Sequence, residues 1–175
     1  TVIITNGSGV KDKCNKCIME QLPTVYCELI GAYVEEYDPM GWDSARLEFA
    51  DGKMYNCRQW SDVICTETAE TLAVYGSEFY KGKAAITRNS YGEGTAYYFG
   101  TVCEKEVYNR LVKDILSETG IAYFENIPDN VEITTRTNED ITARFIFNNT
   151  NKEQEFIFNG KNLILAPFEM KIDVE

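Results

Sequence analysis

The chain has 175 residues, 44% of them hydrophobic and 26% charged, which suffices for one ordinary domain, or one medium and one small domain, and is too apolar for a disordered chain. Its net charge of −11 argues against a sequence-independent nucleic-acid binder and against adhesion to an anionic membrane, since both need a basic footprint. No apolar run reaches the length of a membrane span, no secretory signal pattern opens the chain, and a cytoplasmic location is expected.

Thr1 leads directly into Val2-Ile3-Ile4-Thr5, a buried-type β run without an initiator methionine, which suggests a piece of something longer. Asn6 to Pro23 is a long polar connection without periodicity. Thr24 is then placed as the cap of a short helix from Val25 to Ile30, with Gly31 as its stop. Tyr33 to Asp38 reads as a strand ended by Asp38-Pro39. From Ala45 to Val63 the pattern is antiparallel: Arg46-Leu47-Glu48-Phe49 alternates, Asp51-Gly52 is a hairpin signal, and Lys53 to Trp60 returns. This pair is expected to form an excursion from the main layer, and Cys65 to Tyr75 carries the chain back to it.

Ala84 to Arg88 and Thr95 to Phe99 are β-prone runs, and Ser90-Tyr91-Gly92-Glu93-Gly94 between them supplies glycines for a reversal. The second strand is apolar or small on both faces, so it should lie inside a sheet covered on both sides. From Glu104 to Thr119, Val107, Tyr108, Leu111, Val112, Ile115 and Leu116 form one stripe of a helix that Gly120 ends. Residues 1–124 are therefore expected to be part of an α/β layer. After Phe124-Glu125-Asn126-Ile127-Pro128, five short runs follow: Val131 to Thr137, Ile141 to Asn148, Glu153 to Phe158, Asn162 to Leu165 and Glu169 to Val174. Turn residues separate them and no helical period appears, so residues 125–175 are expected to form a small all-β antiparallel domain.

The chain has no histidine, which removes the general base of Ser-His-Asp and Cys-His hydrolysis and every His-containing metal site. The six cysteines, Cys14, Cys17, Cys27, Cys57, Cys65 and Cys103, are too sparse for a disulfide scaffold and are read as free thiols. Cys14-Asn15-Lys16-Cys17 has half a zinc-site spacing, but no second close pair completes it; Cys27 would be the next ligand to test. The glycosylation patterns at Asn6-Gly7-Ser8 and Asn148-Asn149-Thr150 are read as chance without a secretory signal. A retaining glycosidase needs two carboxyl groups about 5–5.5 Å apart. Glu35 and Glu36 are adjacent on a strand and should face opposite ways, Glu104 and Glu106 suit the start of a helix, Glu67 and Glu70 read as surface charges, and Glu139-Asp140 falls in a turn. The aromatic residues Trp42, Trp60, Tyr75, Phe79, Tyr80 and Tyr91 are read as core and subunit interface in preference to a sugar platform. No catalytic, cofactor-binding or metal-ligating residue is assigned.

Leu72-Ala73-Val74-Tyr75-Gly76-Ser77-Glu78-Phe79-Tyr80-Lys81-Gly82-Lys83-Ala84-Ala85, followed by Tyr91-Gly92-Glu93-Gly94-Thr95-Ala96-Tyr97-Tyr98-Phe99-Gly100-Thr101, resembles the "ATY…DFYAG.PA…..GKG.AYY.GT" block of the trimerisation domain of glycoside hydrolase family 42 β-galactosidases. Ser8-Gly9-Val10-Lys11-Asp12 is similar to that family's "SGVKD", and Val34 to Pro39 to its "VEEYDPL". Phe145-Ile146-Phe147-Asn148-Asn149-Thr150 and Leu165-Ala166-Pro167-Phe168-Glu169 resemble the "FLFNHT…LxPYxV" pattern of its small C-terminal domain. The resemblance implies a partial flavodoxin-like, class I glutamine amidotransferase-like layer followed by the small β domain. It also implies a parent that hydrolyses terminal β-galactosides with retention, through two barrel glutamates that have no match here. By the same resemblance the partner of this chain is itself, in a homotrimer, and the galactoside is held by the missing barrel. Val2 to Thr5 would follow missing upstream strands and stand at an open edge. Three copies at −11 need an apolar or locally paired interface, with Arg46, Arg58, Lys81 and Arg88 as candidate cations. The alternatives are a carbohydrate-binding or adapter module and a degenerate amidotransferase-like binding domain.

Overall fold

The computed structural model describes residues 1–175 as two compact units, Thr1–Gly120 and Ile121–Glu175. The first unit contains β1 (Val2–Thr5), a 3-10 turn (Thr24–Tyr26), α1 (Cys27–Ile30), β2 (Ala32–Asp38), β3 (Ser44–Phe49), β4 (Met54–Thr66), β5 (Glu70–Tyr75), β6 (Ala84–Tyr91), β7 (Gly94–Phe99), β8 (Thr101–Cys103) and α2 (Lys105–Thr119). The strands form one sheet of order β1-β7-β6-β5-β3-β4-β2, with β8 paired to β4.

This overturns the expected α/β, flavodoxin-like layer. Only β1 and β7 are parallel, and every other pairing in the sheet is antiparallel. The reason is connection length. A parallel neighbour needs a crossover of a dozen or more residues, usually a helix, whereas hairpins and short loops join β3 to β4, β4 to β5 and β6 to β7. Nor are β3 and β4 an excursion: they lie within the main path, and β4 pairs β2, β3, β6 and β8 along its 13 residues. Gly100 joins β7 to β8, so the route β7-β6-β5-β3-β4-β8 returns to its starting strand. A Cβ at Gly100 would sit 2.8 Å from Ile64 Cδ1 and 3.1 Å from the Ala85 carbonyl oxygen, so closure at this joint requires glycine.

The central hairpin forms as its residues predict. Tyr91 pairs with Gly94 across a Gly92-Glu93 loop, with Gly92 at φ 56°. β7 is covered on both sides: Tyr97 and Phe99 join the core beneath Val107, Leu111 and Ile115 of α2, while Tyr98 joins a second core with Ile4, Ile30, Val34 and Ile64. The predicted helical stripe narrows to Val107, Leu111 and Ile115. Tyr108 and Leu116 are half-buried, and Val112 is exposed at the margin. Burying such side chains contributes roughly 1.5–3 kcal/mol each. Gly120, at φ 67°, closes α2 by donating to the Leu116 and Ser117 carbonyls.

Two local expectations change. β1 is not buried along its length: it pairs on one side only, Val2 and Ile3 are exposed, and Ile4 alone enters the core. Thr24 is not a helix cap. It sits at φ 52° inside the 3-10 turn, and its hydroxyl donates to the Gly9 carbonyl at 3.1 Å, tying the long polar connection to the helical turn.

The second unit contains β9 (Val131–Thr137), β10 (Thr142–Asn148), β11 (Gln154–Phe158), β12 (Lys161–Leu165) and β13 (Met170–Val174), all antiparallel. β13-β10-β9 form one sheet and β11-β12 a hairpin, around Ile146, Phe156, Phe158 and Leu165.

Candidate functional site

Cys14 and Cys17 are exposed in a small reversal, where the Asp12 carboxylate accepts the N–H groups of Cys14 (2.8 Å) and Lys16 (2.9 Å) and Asn15 adopts φ 62°. Local turn chemistry accounts for that segment. Cys27 lies in α1, its thiol 3.7 Å from the Gln21 carbonyl, and no group of three metal-ligating side chains converges anywhere in the chain.

Two pairs of candidate carboxylates each line one cavity, Glu35 with Glu36 and Glu104 with Glu106. A β-bulge between Val34 and Glu36 breaks the strict alternation expected for Glu35 and Glu36, and both line one shallow cavity beside Tyr33 and Tyr37. Glu35 is engaged there: Lys83 Nζ donates to it at 3.0 Å and the Cys65 thiol at 3.2 Å, and the Lys83 bond foremost holds its carboxyl below the usual range. Glu104 accepts the Asn56 N–H at 3.0 Å and Asn56 Nδ2 at 2.8 Å, which fastens the start of α2 to β4. Glu106 lies in the first turn of α2, while Glu67, Glu70, Glu139 and Asp140 are exposed.

Sequence reasoning missed the most constrained carboxylate. Asp62 is 4% exposed and is the only charged side chain among the buried residues. One of its oxygens accepts Trp60 Nε1 at 2.7 Å and the other the Tyr98 hydroxyl at 2.7 Å, while the Tyr75 hydroxyl donates to its backbone carbonyl at 3.0 Å. Burial pushes the Asp62 carboxyl up, against the opposing pull of these donors. Both oxygens are occupied and no other carboxylate is buried beside it, so its chemistry is structural. An Asp followed by Val63-Ile64 in a strand, two positions after a tryptophan, was the available signal: a charge inside an apolar run needs buried donors.

The aromatic residues divide. Tyr75 and Tyr80 are core, packed edge to face at 4.7 Å, with Tyr80 donating to Asp38 at 3.1 Å. Trp60 stacks on Tyr37 at 4.9 Å and 16°. This pair lines a groove of about 570 Å³ with Val10, Ile18, Met19 and Leu22. Each ring has already given one face to the other, and the Trp60 indole is fixed by Asp62. Trp42 lies outside that groove and is fully exposed, as are most of Phe79 and Met19 and nearly half of Tyr91. Val2 and Ile3 on the open edge of β1 are exposed as well. Arg46, Arg58 and Lys81 are exposed. Arg88 instead pairs with Glu118 at 3.0 Å and Tyr97 at 3.1 Å within the chain.

Residues 1–122 match the family model described as the β-galactosidase trimerisation domain, which covers the whole first unit. The chain is 38% identical, over 98% of its length, to β-galactosidase BgaA of Clostridium cellulovorans, and 32% identical, over 87%, to β-galactosidase LacA of Lactobacillus acidophilus. It spans 28% and 23% of those relatives. Among solved structures, β-galactosidase from Bacillus circulans sp. alkalophilus superposes at a TM-score of 0.85 with 25% identity, over 97% of this chain and 28% of that one. The cold-adapted β-galactosidase from Rahnella sp. R3, at a TM-score of 0.88 and 24% identity, shares the fold over 99% of this chain and 28% of its own. The chain therefore belongs to the trimerisation-domain family of the glycoside hydrolase family 42 β-galactosidases.

Proposed function

We propose that this chain assembles a cytoplasmic β-galactosidase into a homotrimer and leaves hydrolysis of terminal β-galactosides to a barrel outside these residues. The observation that carries the reading is the match of the entire first unit to a trimerisation domain, in a chain about a quarter the length of its relatives. Two further features support it. The first unit exposes Trp42, Phe79, Val2 and Ile3, while its buried carboxylate is locked between Trp60 and Tyr98 with no partner for glycoside cleavage.

The carbohydrate-binding alternative rests on the groove at Tyr37 and Trp60. Mutual stacking of the two rings weighs against it, because it leaves each ring only one face to offer a sugar. Isothermal titration with galactose and lactose separates the readings. An assembly domain gives no saturable heat, whereas saturable binding abolished by Trp60→Ala would establish the module and overturn the proposal.

A further inference from the structure

Cys57 and Cys103 stand opposite each other in the antiparallel β4–β8 ladder. The surrounding hydrogen bonds fix which kind of pair they make. Glu104 N–H donates to the Asn56 carbonyl at 3.3 Å, and the Asn56 N–H is taken by the Glu104 carboxylate, so residues 56 and 104 are the hydrogen-bonded pair. The Cys103 N–H turns away to the Tyr108 hydroxyl at 3.1 Å. Cys57 and Cys103 are thus a non-hydrogen-bonded pair, in which facing Cα atoms approach to about 4.5 Å and side chains stand closest. That separation falls within the roughly 4.4–6.8 Å that a disulfide spans. Both side chains enter the same core cluster, and both line a cavity of about 450 Å³ with Ser44, Asn56, Arg58 and Glu104.

We propose that Cys57 and Cys103 form a redox pair, whose oxidation makes the β4–β8 seam covalent and whose reduction releases it. The oxidant is a small-molecule disulfide of the glutathione class. One cysteine thiolate attacks a sulfur of that disulfide, breaking its S–S bond and releasing one glutathione thiol. The second cysteine attacks the resulting mixed disulfide, forming the Cys57–Cys103 bond and releasing the second glutathione. Two electrons and two protons pass from the cysteine pair to the two released thiols. In the closed sheet both thiols are pushed up by burial, Cys103 to about 12, so exchange runs through local opening of the seam. The ladder has a natural opening point next to the pair, where its register shifts between Arg58 and Ser61 and Gln59 takes φ 69°.

The test equilibrates the native full-length protein in glutathione buffers from fully reduced to fully oxidised, in sub-denaturing urea to speed opening. Acid quench, alkylation and tryptic digestion follow. Cys57 is the sole cysteine of peptide Met54–Arg58 and Cys103 the sole cysteine of peptide Asn89–Lys105, so their linkage gives one diagnostic species. The proposal expects that species to accumulate to a majority of chains at oxidising ratios, to vanish with dithiothreitol, and to be absent in Cys57→Ser. It also expects the urea midpoint to rise on oxidation of the unsubstituted chain. Recovery of both peptides in alkylated form at the most oxidising ratio, or linkage of Cys57 to a different cysteine, overturns it. The linkage is read in the unsubstituted chain, so the outcome does not depend on a variant folding.

Discussion

Asp62 in the first unit and Asn148 in the second are both buried polar side chains in β-strands, and the two units handle them differently. Asn148, 2% exposed, donates to the carbonyls of Lys152 (2.7 Å) and Ala166 (2.8 Å) and, more weakly, of Leu165, and accepts the N–H (3.0 Å) and hydroxyl (2.8 Å) of Thr150. It is a neutral organiser of the loops around a core of four residues. Asp62 is an ionisable group inside a core several times larger, and it is held by two ring-bearing donors from β4 and β7. A small core depends on polar scaffolding for its loops, whereas a large core can tolerate a charge if the charge is fully bonded. The second unit should therefore be sensitive to loss of hydrogen bonds, and the first sensitive to pH.

Asn148→Ala gives the largest expected effect. It removes the donor to the part-buried Ala166 carbonyl and the buried Leu165 carbonyl and the acceptor of the Thr150 N–H and hydroxyl, while the Thr150 hydroxyl can still serve the Lys152 carbonyl, at a cost of about 3 kcal/mol. Hydrogen exchange should show β10 to β13 losing protection while α2 keeps it, and retained protection in β10 would break the comparison. Tyr98→Phe comes next, at roughly 1.5–3 kcal/mol near neutral pH, because it leaves a carboxylate oxygen without its donor. Its sign with pH follows from the raised Asp62 carboxyl. Between the usual aspartate value and that raised value the native state binds the proton more tightly than the unfolded state, so stability falls as pH rises through that window. Removing the Tyr98 donor pushes the carboxyl further up, so urea titrations should find the variant's deficit larger at neutral pH than in acid. A deficit independent of pH would show that Asp62 does not titrate there.

Gly120→Ala sharpens a smaller point. Forcing a side chain into φ 67° at the end of α2 should cost about 1 kcal/mol by thermal melting without any pH dependence. Trp42→Ala is expected to change stability by less than about 0.5 kcal/mol, because the ring is fully exposed, and to act only on association, read as solution mass.

The same contrast explains what could be read in the sequence. All five strands of the second unit were legible within a residue or two, because each run is bounded by turn residues, and four of the five pair with a neighbour in the chain; only the β10–β13 pairing is long-range. In the first unit the elements were legible and their arrangement was not. The glycines of the central hairpin, the stripe of α2 and Gly120 are local signals. The pairing of β3 with β5, the four neighbours of β4 and the return through Gly100 are long-range, and no periodicity encodes them. A helix and a doubly buried strand led to an α/β reading, although most of the intervening connections are too short for parallel crossovers. Which aromatic residues are exposed was not legible, since exposure of Trp42 and burial of Tyr75 leave the same mark in a sequence. Asp62 was hidden because its partners lie 36 residues away at Tyr98 and two away at Trp60, a combination only the folded sheet creates.

Self-association of these residues is the central claim, and it is tested most directly by light scattering coupled to size exclusion, at low and moderate salt and over a range of concentrations. A trimer gives a particle near three times 19.9 kDa that persists on dilution and loses mass with Trp42→Ala. A mass of 19.9 kDa at every concentration and salt would contradict it.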